Sequence, residues 1–359
     1  MSKPNGTLTL EGKEYEVIEK TNETPPIDWN DPGWEVVGGN CLVIEPEQAA
    51  LESAIAESSQ RWIEDWGLWD AQAGVNYPEF KGDALAWPRS EQAGAPAVIL
   101  PPVEINITKP LYLPACVALQ GPSGFDSAKL RFTGDGCLRV MADCEHPELG
   151  PVKFFGRSIQ GIYFIANGRQ SPLQLIGSHQ NVKIHNCHFN TIGKPVSAID
   201  HPWQPEQETP FGKVYLDHET YGVHAKDVWI YNNQIEFGNP KGTGVTLRGA
   251  QACRVTDNVF IYGDCGMILT EAHNCRVSGN DFYGGVSCPG MIETNGGLYL
   301  RDNSINGCEF GFQRFGGQDA LDASSNVFDG RYSGGAVYER NKTAPAPFDA
   351  GWKKKGERF

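Results

Sequence analysis

A short pattern recurs along the second half of the chain, and it limits the possible folds more than any other feature. In each copy an asparagine is followed two residues later by a large apolar residue. The asparagines are Asn233, Asn258, Asn280, Asn303 and Asn326, separated by 25, 22, 23 and 23 residues. An earlier, degenerate copy has Cys187 at the asparagine position. Such a period is typical of a solenoid, in which each unit buries its core only against its neighbours.

The residues of each copy indicate short strands. Side chains alternate along a strand, so one apolar residue of each copy is expected to point inward and stack on the next. This inner column is predicted to be Phe189, Ile235, Phe260, Phe282, Ile305 and Phe328. Asparagine tolerates the left-handed backbone of a tight corner, and its amide can also pair with the amides above and below it. A leucine-rich repeat is the alternative, but its leucine framework is absent and the copies favour Val and Phe.

The pattern therefore predicts an all-β fold, a right-handed single-stranded parallel β-helix with coils of about 22–25 residues. Residues 47–66 have apolar side chains at helical spacing and predict an amphipathic helix, which we expect to cap the N-terminal end of the core. The expected division is an N-terminal segment with this helix over 1–95, the β-helix over 96–340 and a C-terminal tail over 341–359.

The first strands resemble the entry to the pectate-lyase-like β-helix proteins, a superfamily of polysaccharide lyases, glycoside hydrolases and phage tailspike depolymerases. The resemblance follows from the capping helix and from the steps Leu100-Pro-Pro, Pro110-Leu-Tyr-Leu-Pro and Leu119-Gln-Gly, and it covers roughly residues 45–335. The Gly-Asp-Gly opening common in that group is missing, and polygalacturonase catalytic signatures are absent. The resemblance implies the fold and a glycan-related role. Its tailspike members also imply a homotrimer.

The charge and the N-terminus bear on partners and location. A net charge of −14 argues against nucleic acid and against an anionic membrane, since both require a basic footprint. No stretch is long and apolar enough to span a membrane. The N-terminus lacks the apolar run of a signal peptide, so we expect synthesis in the cytosol. The place of action stays open between a virion and the extracellular space.

Several of the ten cysteines recur at the coil spacing. Cys253 and Cys275 are 22 residues apart, and Cys265 and Cys288 are 23 apart. Small core residues stacked in successive coils would show this spacing, so we predict free thiols, with disulfides between neighbouring coils as the alternative. The histidines show neither His-x-x-x-His nor Glu-x-x-His spacing, and no metal site is predicted.

The strand before each asparagine exposes two columns that mix aromatic and basic residues. The first column is Lys183, Trp229, Arg254, Arg276 and Tyr299, and the second is His185, Tyr231, Thr256, Ser278 and Arg301. Aromatic rings pack against sugar faces and guanidinium groups bind carboxylates, so Trp229, Tyr231, Arg254 and Arg276 are candidate substrate-binding residues. The alternative is a solvated β-face with ordinary cross-strand pairs.

A different strand begins each coil and predicts a polar groove. Its inward side chains are predicted to be Val245, Leu247, Met267, Leu269, Ile292 and Phe312. Its outward side chains would then be Thr246, Arg248, Thr270, Glu293 and Gln313, with Glu271 at a strand end. Arg248 is the candidate substrate-binding residue of this face, and Glu271 and Glu293 are candidate catalytic residues.

The coil spacing breaks between Cys187 and Asn233, which are 46 residues apart, about twice the repeat. This predicts a long loop over 194–222 rather than an additional coil, and we expect the loop to lie over the same groove. Further candidate residues of the loop are Trp203 and Tyr221 for substrate binding and Asp217, His218 and Glu219 for catalysis.

These residues allow two kinds of glycan cleavage. Hydrolysis needs one protonated and one ionised carboxyl, which the acids of the groove and the loop can supply without a cofactor. β-Elimination on a uronate needs a base beside a group that neutralises the carboxylate, for which His218, Tyr221 and Arg248 are available, with or without Ca²⁺. We predict cleavage of a polysaccharide or oligosaccharide, with hydrolysis favoured because the acidic chain suits a neutral or weakly charged glycan. A non-catalytic glycan-binding or structural β-helix of a virion is the third reading.

Overall fold

The computed structural model describes residues 6–10, 13–17, 33–37, 40–66, 97–122, 128–141, 143–146, 150–153, 158–177, 179–192, 197–202, 207–214, 225–238, 242–283, 286, 288–308, 310–315, 321–329 and 337–340. The chain divides into two compact units, residues 1–32 and residues 33–359. Within the first unit, Gly6–Leu10 and Lys13–Val17 form an antiparallel hairpin. The second unit contains the repeat and is a parallel β-solenoid with coils about 25 residues apart.

Three long sheets form the sides of the solenoid, and successive coils add a parallel strand to each of them, whereas Trp34–Val37, at the edge of one sheet, pairs antiparallel with its neighbour Asn40–Val43. Sheet I, which precedes each asparagine corner, comprises Trp34–Val37, Asn40–Val43, Val98–Ile99, Leu119–Gln120, Ser158–Gln160, Lys183–His185, Trp229–Tyr231, Arg254–Thr256, Cys275–Ser278, Leu298–Arg301 and Leu321–Asp322. Sheet II, which follows the corner, comprises Glu104–Ile107, Ala128–Phe132, Ile162–Ala166, His188–Thr191, Gln234–Phe237, Val259–Ile261, Asp281–Tyr283, Ser304–Asn306 and Val327–Asp329. Sheet III comprises Pro110–Pro114, Cys137–Met141, Leu173–Ile176, Ser197–Asp200, Thr243–Leu247, Cys265–Ala272, Cys288–Thr294, Phe312–Phe315 and Val337–Arg340.

The strand register confirms the predicted inner column of sheet II. Its members pair directly from coil to coil: Phe189, Ile235, Phe260, Phe282, Ile305 and Phe328. The rings of Phe260 and Phe282 stack with their centroids 4.7 Å apart, and those of Phe164 and Phe189 stack at 4.6 Å. These separations match the spacing of neighbouring strands, so one coil closes the core of the next.

The five repeated asparagines form a ladder of side-chain amides. The Nδ2 of Asn258 donates to Oδ1 of Asn280 at 3.0 Å, and Asn280 donates in the same way to Asn303 at 3.0 Å. Each Oδ1 also accepts the backbone N–H of the asparagine one coil earlier. Each Nδ2 has a second acceptor in the preceding coil, which is Val255 O for Asn280. Since Asn258 and Asn280 are fully buried, these bonds satisfy polar groups that water cannot reach.

The left-handed corner lies one residue earlier than the sequence predicted. Positive φ angles occur at the residue before each ladder position: Asn186, Asn232, Asp257, Gly279, Asp302 and Ser325. The ladder asparagines were therefore wrongly assigned the corner conformation, because their side chains bond to adjacent coils while the preceding residue turns the backbone. Short polar residues and glycine tolerate this conformation best, which explains the types found there.

The thiol of Cys187 takes the place of the amide in the degenerate copy. The backbone N–H of Cys187 donates to Asn233 Oδ1 at 3.0 Å, as an asparagine would at this position. Its Sγ lies 3.3 Å from His185 O and 3.6 Å from Ile159 O, where the ladder amides have their carbonyl acceptors. The ladder thus ends at Cys187 without leaving Asn233 unpaired.

The predicted N-terminal helix spans Gln48–Trp66. Leu51 and Ile55 on its inner face are fully buried and belong to the main core. The helix contacts the first strands of all three sheets, so it covers the N-terminal end of the stack as expected. Within the described part of the chain, no helix combines the length and the apolarity needed to cross a membrane.

The coil spacing between Cys187 and Asn233 has a simple structural cause. Lys183 pairs directly with Trp229, so the 46 residues form one coil, and the prediction that no further coil is present there is confirmed. The predicted bounds of the loop were wrong, because Ser197–Asp200 is the sheet III strand of this coil. The insertion therefore leaves from the carboxyl end of that strand rather than entering it.

The insertion contains regular structure. Its hairpin, Gln207–Thr209 with Gly212–Val214, joins Asp143–His146 and Gly150–Lys153 in a four-stranded antiparallel sheet. Val214 is fully buried within the main core, which anchors the hairpin to the solenoid. A separate short parallel pair joins His179–Gln180 to Ala225–Lys226.

The side chains of nine of the ten cysteines, all except Cys144, are described, and these nine are buried and carry free thiols. Cys265 pairs with Cys288 in register, and the thiols of Cys253 and Cys275 are close enough to affect each other's pKa. The expected stacking of cysteines in successive coils is thus confirmed. Burial raises the pKa of Cys187 and of Cys308 to about 12, so both stay protonated.

Replacement of Asn280 by alanine should destabilise the protein strongly, because it leaves buried partners on both neighbouring coils unpaired. We expect a loss of about 3 kcal/mol in the free energy of unfolding, measured by urea denaturation. Asn326→Ala is the matched control, since Asn326 is half-buried and water can replace part of its bonds; its loss should be less than half as large. Equal losses for the two variants would contradict the role assigned to buried ladder bonds.

Candidate functional site

The outer face of sheet III carries two columns of side chains, because alternate residues of each strand point away from the core. The first column runs from coil to coil through Tyr112, Arg139, Gln174, Asp200, Thr246, Ile268, Met291 and Gln313. The second column lies two residues further along each strand and contains Arg248, Thr270, Glu293 and Phe315.

The inward direction predicted for Val245, Leu247, Met267, Leu269, Ile292 and Phe312 is confirmed, since all six are fully buried and belong to the main core. Most outward residues are buried as well: Ile268, Met291 and Phe315 form a separate apolar cluster with Cys265 and Cys288, and Thr246, Thr270 and Gln313 are at most 6% exposed. Between residues 200 and 315, the open part of this face therefore lies at the half-buried Asp200, Arg248, Glu271 and Glu293.

A β-bulge interrupts the second column at the two acidic residues. Near its end, Cys265–Ala272 has one residue more than the neighbouring strand Cys288–Thr294. Thr270 and Glu271 therefore lie together opposite the single residue Glu293. Bulges redirect a side chain and are over-represented next to active sites. The bulge brings two carboxyl-bearing residues of successive coils to one place.

Glu271 has a backbone conformation that is costly for a residue with a side chain. Its φ is +49°, in the left-handed region. Leu247 pairs with Leu269, so Gly249 is the equivalent residue one coil earlier, and its φ is +54°. The Gly249 N–H donates to the Thr270 hydroxyl at 3.0 Å, which ties the two turns together. A glycine would be the unstrained choice at both places, so the glutamate is accommodated at a cost of about 1–2 kcal/mol.

The carboxyl of Glu293 differs from an ordinary surface glutamate. Burial raises the pKa of Glu293 above its usual range, and the negative charge of Glu271 raises it further. The backbone N–H of Glu271 donates to this carboxylate and opposes part of the increase. A carboxyl that keeps its proton to higher pH is suited to act as a general acid. Glu293 is such a carboxyl, since its pKa lies above that of an ordinary glutamate.

Arg248 lies one coil before the bulge and is fixed by the strand beside it. Its Nε donates to the backbone carbonyl of His201 at 2.9 Å. Burial lowers the pKa of the Arg248 guanidinium, and the charge of Asp200 opposes this. His201 points inward and is buried with its ring edge-on to His179 at 6.0 Å. Burial lowers the pKa of His179 to about 3, so this histidine is neutral and has a structural role.

Two residues of this face were missed by the sequence analysis. Asp200 lies in the first column beside Arg248, but it falls in the coil whose insertion hides the repeat pattern. His273 is exposed just after the sheet III strand ends at Ala272, and it pairs with Gln251 of the preceding coil. Its ring lies against Gly296 of the next coil, where any Cβ would overlap Nδ1. Its position two residues after Glu271 was the sequence signal for His273.

The columns predicted on sheet I occur in the expected register, and their rings face one another. Lys183 and Arg254 lie over the ring of Trp229, at 5.3 and 4.2 Å from its centroid. His185 and Tyr231 stack at 4.7 Å with their planes 4° apart. The faces of these rings therefore contact side chains of the neighbouring coils, as in ordinary cross-strand pairing. A sugar would meet mainly ring edges at Trp229 and Tyr231.

The two arginines of this strip differ in their partners. Arg254 pairs in register with Arg276, and both are exposed. Arg276 donates from Nε to the Ser278 hydroxyl at 2.9 Å, whereas Arg254 packs on Trp229. Their assignment as substrate-binding residues stays a prediction.

The candidates of the insertion lie outside the described residues: Trp203, Asp217, His218, Glu219 and Tyr221. Their predicted roles therefore stay predictions. Among the residues that the structure describes, no group of three or more metal-binding side chains is arranged to hold an ion.

Comparison with known proteins agrees with this architecture. Residues 213–345 match the family model described as "Right handed beta helix region", a little over a third of the chain. No curated protein matches the chain significantly. Together with the parallel solenoid, the match identifies a right-handed parallel β-helix, consistent with the pectate-lyase-like superfamily. The β-helix occurs in carbohydrate-active enzymes and also in proteins without enzymatic activity.

Replacement of Glu271 by glycine should raise stability while it removes the carboxylate. The left-handed φ of this position costs a glutamate more than a glycine, so we expect the free energy of unfolding to increase by about 1 kcal/mol. Glu236→Gly is the matched control, because Glu236 lies in the regular strand Gln234–Phe237, where glycine should destabilise. A loss of stability in Glu271→Gly would show that its side chain has a structural role instead.

The raised pKa of Glu293 should make the protein less stable as the pH rises. The native state keeps a proton that the unfolded state has lost, so stability is highest below the ordinary glutamate pKa of about 4.3 and falls up to the raised value. Glu293→Gln should lack this fall, and Glu271→Gln should make it smaller by removing the repulsion. Unfolding free energies measured from about pH 4 to about pH 7 test this. Parallel curves for wild type and Glu293→Gln would refute it.

Proposed function

We propose that this protein hydrolyses a polysaccharide or oligosaccharide on the outer face of sheet III, with Glu293 as the general acid and Glu271 as the second carboxylate. The observation that supports this most strongly is the bulge, which places Glu271 in a left-handed conformation opposite Glu293. Strained backbone is stored at functional sites when the chemistry depends on the side chain. Gly249, at the equivalent position one coil earlier, is the residue type that tolerates this conformation without strain, so a glutamate is not required for the turn itself.

The protonation of the pair fits the two roles. A general acid must still carry its proton near neutral pH, and the raised pKa of Glu293 favours this. Glu271 then acts as the ionised partner, and its charge helps to keep Glu293 protonated. When Glu293 gives its proton to the leaving oxygen, it becomes a carboxylate. It can then act as the base that activates water in the second step.

The spacing of the strands favours retention of the anomeric configuration. Glu271 and Glu293 lie on neighbouring strands, which are separated by about 4.8 Å. Retaining glycosidases have carboxyls about 5–5.5 Å apart, whereas inverting enzymes leave about 6.5–9.5 Å for a water molecule. Glu271 would therefore attack the sugar directly and form a covalent intermediate, with release of the alcohol protonated by Glu293. Water would then restore the carboxylate.

Neighbouring residues support substrate binding at this pair. Arg248 lies one coil before the bulge with its guanidinium fixed by the carbonyl of His201. Its position next to Asp200 gives the groove a polar wall of both charges. His273, exposed two residues after Glu271, would supply a further hydrogen-bonding group if a sugar chain extends beyond the end of the strand.

A reducing-end assay over a panel of polysaccharides tests the proposal. Glu293→Gln and Glu271→Gln should each lower kcat by about 10²–10⁴-fold, because each removes a group that moves a proton or forms a bond. Activity of the wild type should fall as the pH rises through the raised pKa of Glu293, since the acid is then lost. Proton NMR of the first product should show the same anomer as the substrate.

Glu236→Gln is the control, because Glu236 lies on sheet II, away from the pair. Equal activity of the Glu293→Gln variant and the wild type would refute the assignment. A product that absorbs in the ultraviolet, as unsaturated uronates do, would show that the reaction is β-elimination. Arg248 would then be a candidate for the base or for the group that neutralises the carboxylate. Absence of product from every glycan, together with tight binding of one of them, would favour a binding module.

A further inference from the structure

We infer that the same face contains a separate subsite for an anionic substituent of the glycan, centred on Arg139 near the N-terminal end of the groove. The inference rests on the proposed function for its place in a substrate, but the binding site can be tested alone. It follows from how the guanidinium is fixed and from which groups surround it.

The guanidinium of Arg139 is fixed by neutral partners on both neighbouring coils. Its Nε donates to Gln174 Oε1 at 3.1 Å, and its Nη1 donates to the Tyr112 hydroxyl at 3.2 Å. The guanidinium carbon also lies 5.8 Å from the centroid of the Tyr112 ring. Tyr112, Arg139 and Gln174 are direct register partners, so the three side chains form one row across three coils.

The acceptor on one side is itself rigid. Gln174 is 2% exposed, and its Nε2 donates to Gln170 Oε1 at 3.2 Å, which fixes the amide with its oxygen toward Arg139. Arg139 also forms a side-chain hydrogen bond with the thiol of Cys137 on its own strand, and some guanidinium donors remain beyond these three contacts. Such preorganised donors match a carboxylate or a sulfate ester, and little conformational entropy is lost on binding.

Comparison with Arg131 shows what is unusual about Arg139. Both are half-buried arginines on neighbouring parts of the solenoid. Arg131 forms a bidentate ion pair with Glu104, at 2.7 and 2.9 Å. Within the described residues, every contact of Arg139 is to a neutral group. Because no carboxylate among the described residues pairs with this half-buried charge, we assign its partner to an anion from outside the protein.

The position of the subsite fits a long substrate. Arg139 lies on the strand Cys137–Met141, four strands before the one that carries Glu271. At about 4.8 Å per strand, the two are separated by roughly 19 Å along the groove. A single sugar cannot reach both, so the subsite would select a chain with an acidic group several units from the cleaved bond. Since the net charge of the protein is −14, an anionic glycan is repelled by most of the surface and is attracted to this local positive group.

Arginine-selective NMR tests the subsite directly. The Nε–H of Arg139 is protected by its bond to Gln174, and that of Arg131 by its bond to Glu104, so both should give observable signals assigned by Arg139→Gln and Arg131→Gln. At constant ionic strength we expect glucuronate, glucose 6-sulfate or both to shift the Arg139 signal in a saturable way. Glucose should not shift it, and the Arg131 signal should stay in place throughout.

The two anions distinguish the chemistry of the substituent. A response to glucuronate alone indicates a uronic acid, and one to the sulfate alone indicates a sulfated glycan. The anion that shifts the Arg139 signal should also raise the Tm of the wild type. This rise should disappear in the Arg139→Gln variant and persist in the Arg131→Gln variant. The loss of contacts to a charged group should weaken binding by about 10–100-fold. An unmoved Arg139 signal with both anions, or an equal shift with glucose, would overturn the inference.

Failure of the subsite and failure of the proposed reaction give different results. Glu293 lies far from Arg139, so the Glu293→Gln variant should bind the anion like the wild type. Intact anion binding with no cleavage of any glycan would refute the proposed reaction and support the subsite. Cleavage that depends on Glu293, with no anion response at Arg139, would remove the subsite and leave the reaction.

Discussion

The pairing of each coil with the next is the constraint on which every other feature of this protein depends. No coil can bury its apolar side chains alone, and the asparagine ladder fixes how one coil lies on another by connecting buried amides from Asn233 to Asn326. A shift of one residue would leave these amides unpaired in a site without water. The ladder therefore sets the register, and the register sets which side chains form columns on the outer faces.

The candidate site departs from this regular stack in one place. Elsewhere, left-handed residues lie at corners and are mostly Asn, Asp or Gly, which tolerate the conformation. At Glu271 the same backbone angle is combined with a bulge and a charged side chain that faces a second, partly buried carboxyl. The rigid stack on either side provides the stability that such an arrangement requires, so the strain is local and the scaffold is unaffected.

Charge is distributed unevenly along the outer face of sheet III. Arg139 and its neutral neighbours lie toward the N-terminal end, Asp200 and Arg248 lie in the middle, and the two glutamates follow. Because each strand adds one residue to each column, a linear polymer lying along the solenoid would meet these groups in order. The sheet I strip, by contrast, uses its ring faces and part of its positive charge in contacts between coils.

The sequence by itself determined the solenoid, the inner phenylalanine column, the capping helix and the outward columns of sheet I, because each depends on a spacing that is repeated along the chain. It also selected Arg248, Glu271 and Glu293 as outward residues of successive coils on one sheet. It could not place the left-handed residue, since the ladder asparagine and the short polar residue or glycine before it both tolerate this conformation. The bulge, the role of Asp200 and the neutral surroundings of Arg139 were decided only by the tertiary structure. These features depend on which residues of different coils lie opposite one another, and no interval in the sequence records a single extra residue or the partners of one arginine.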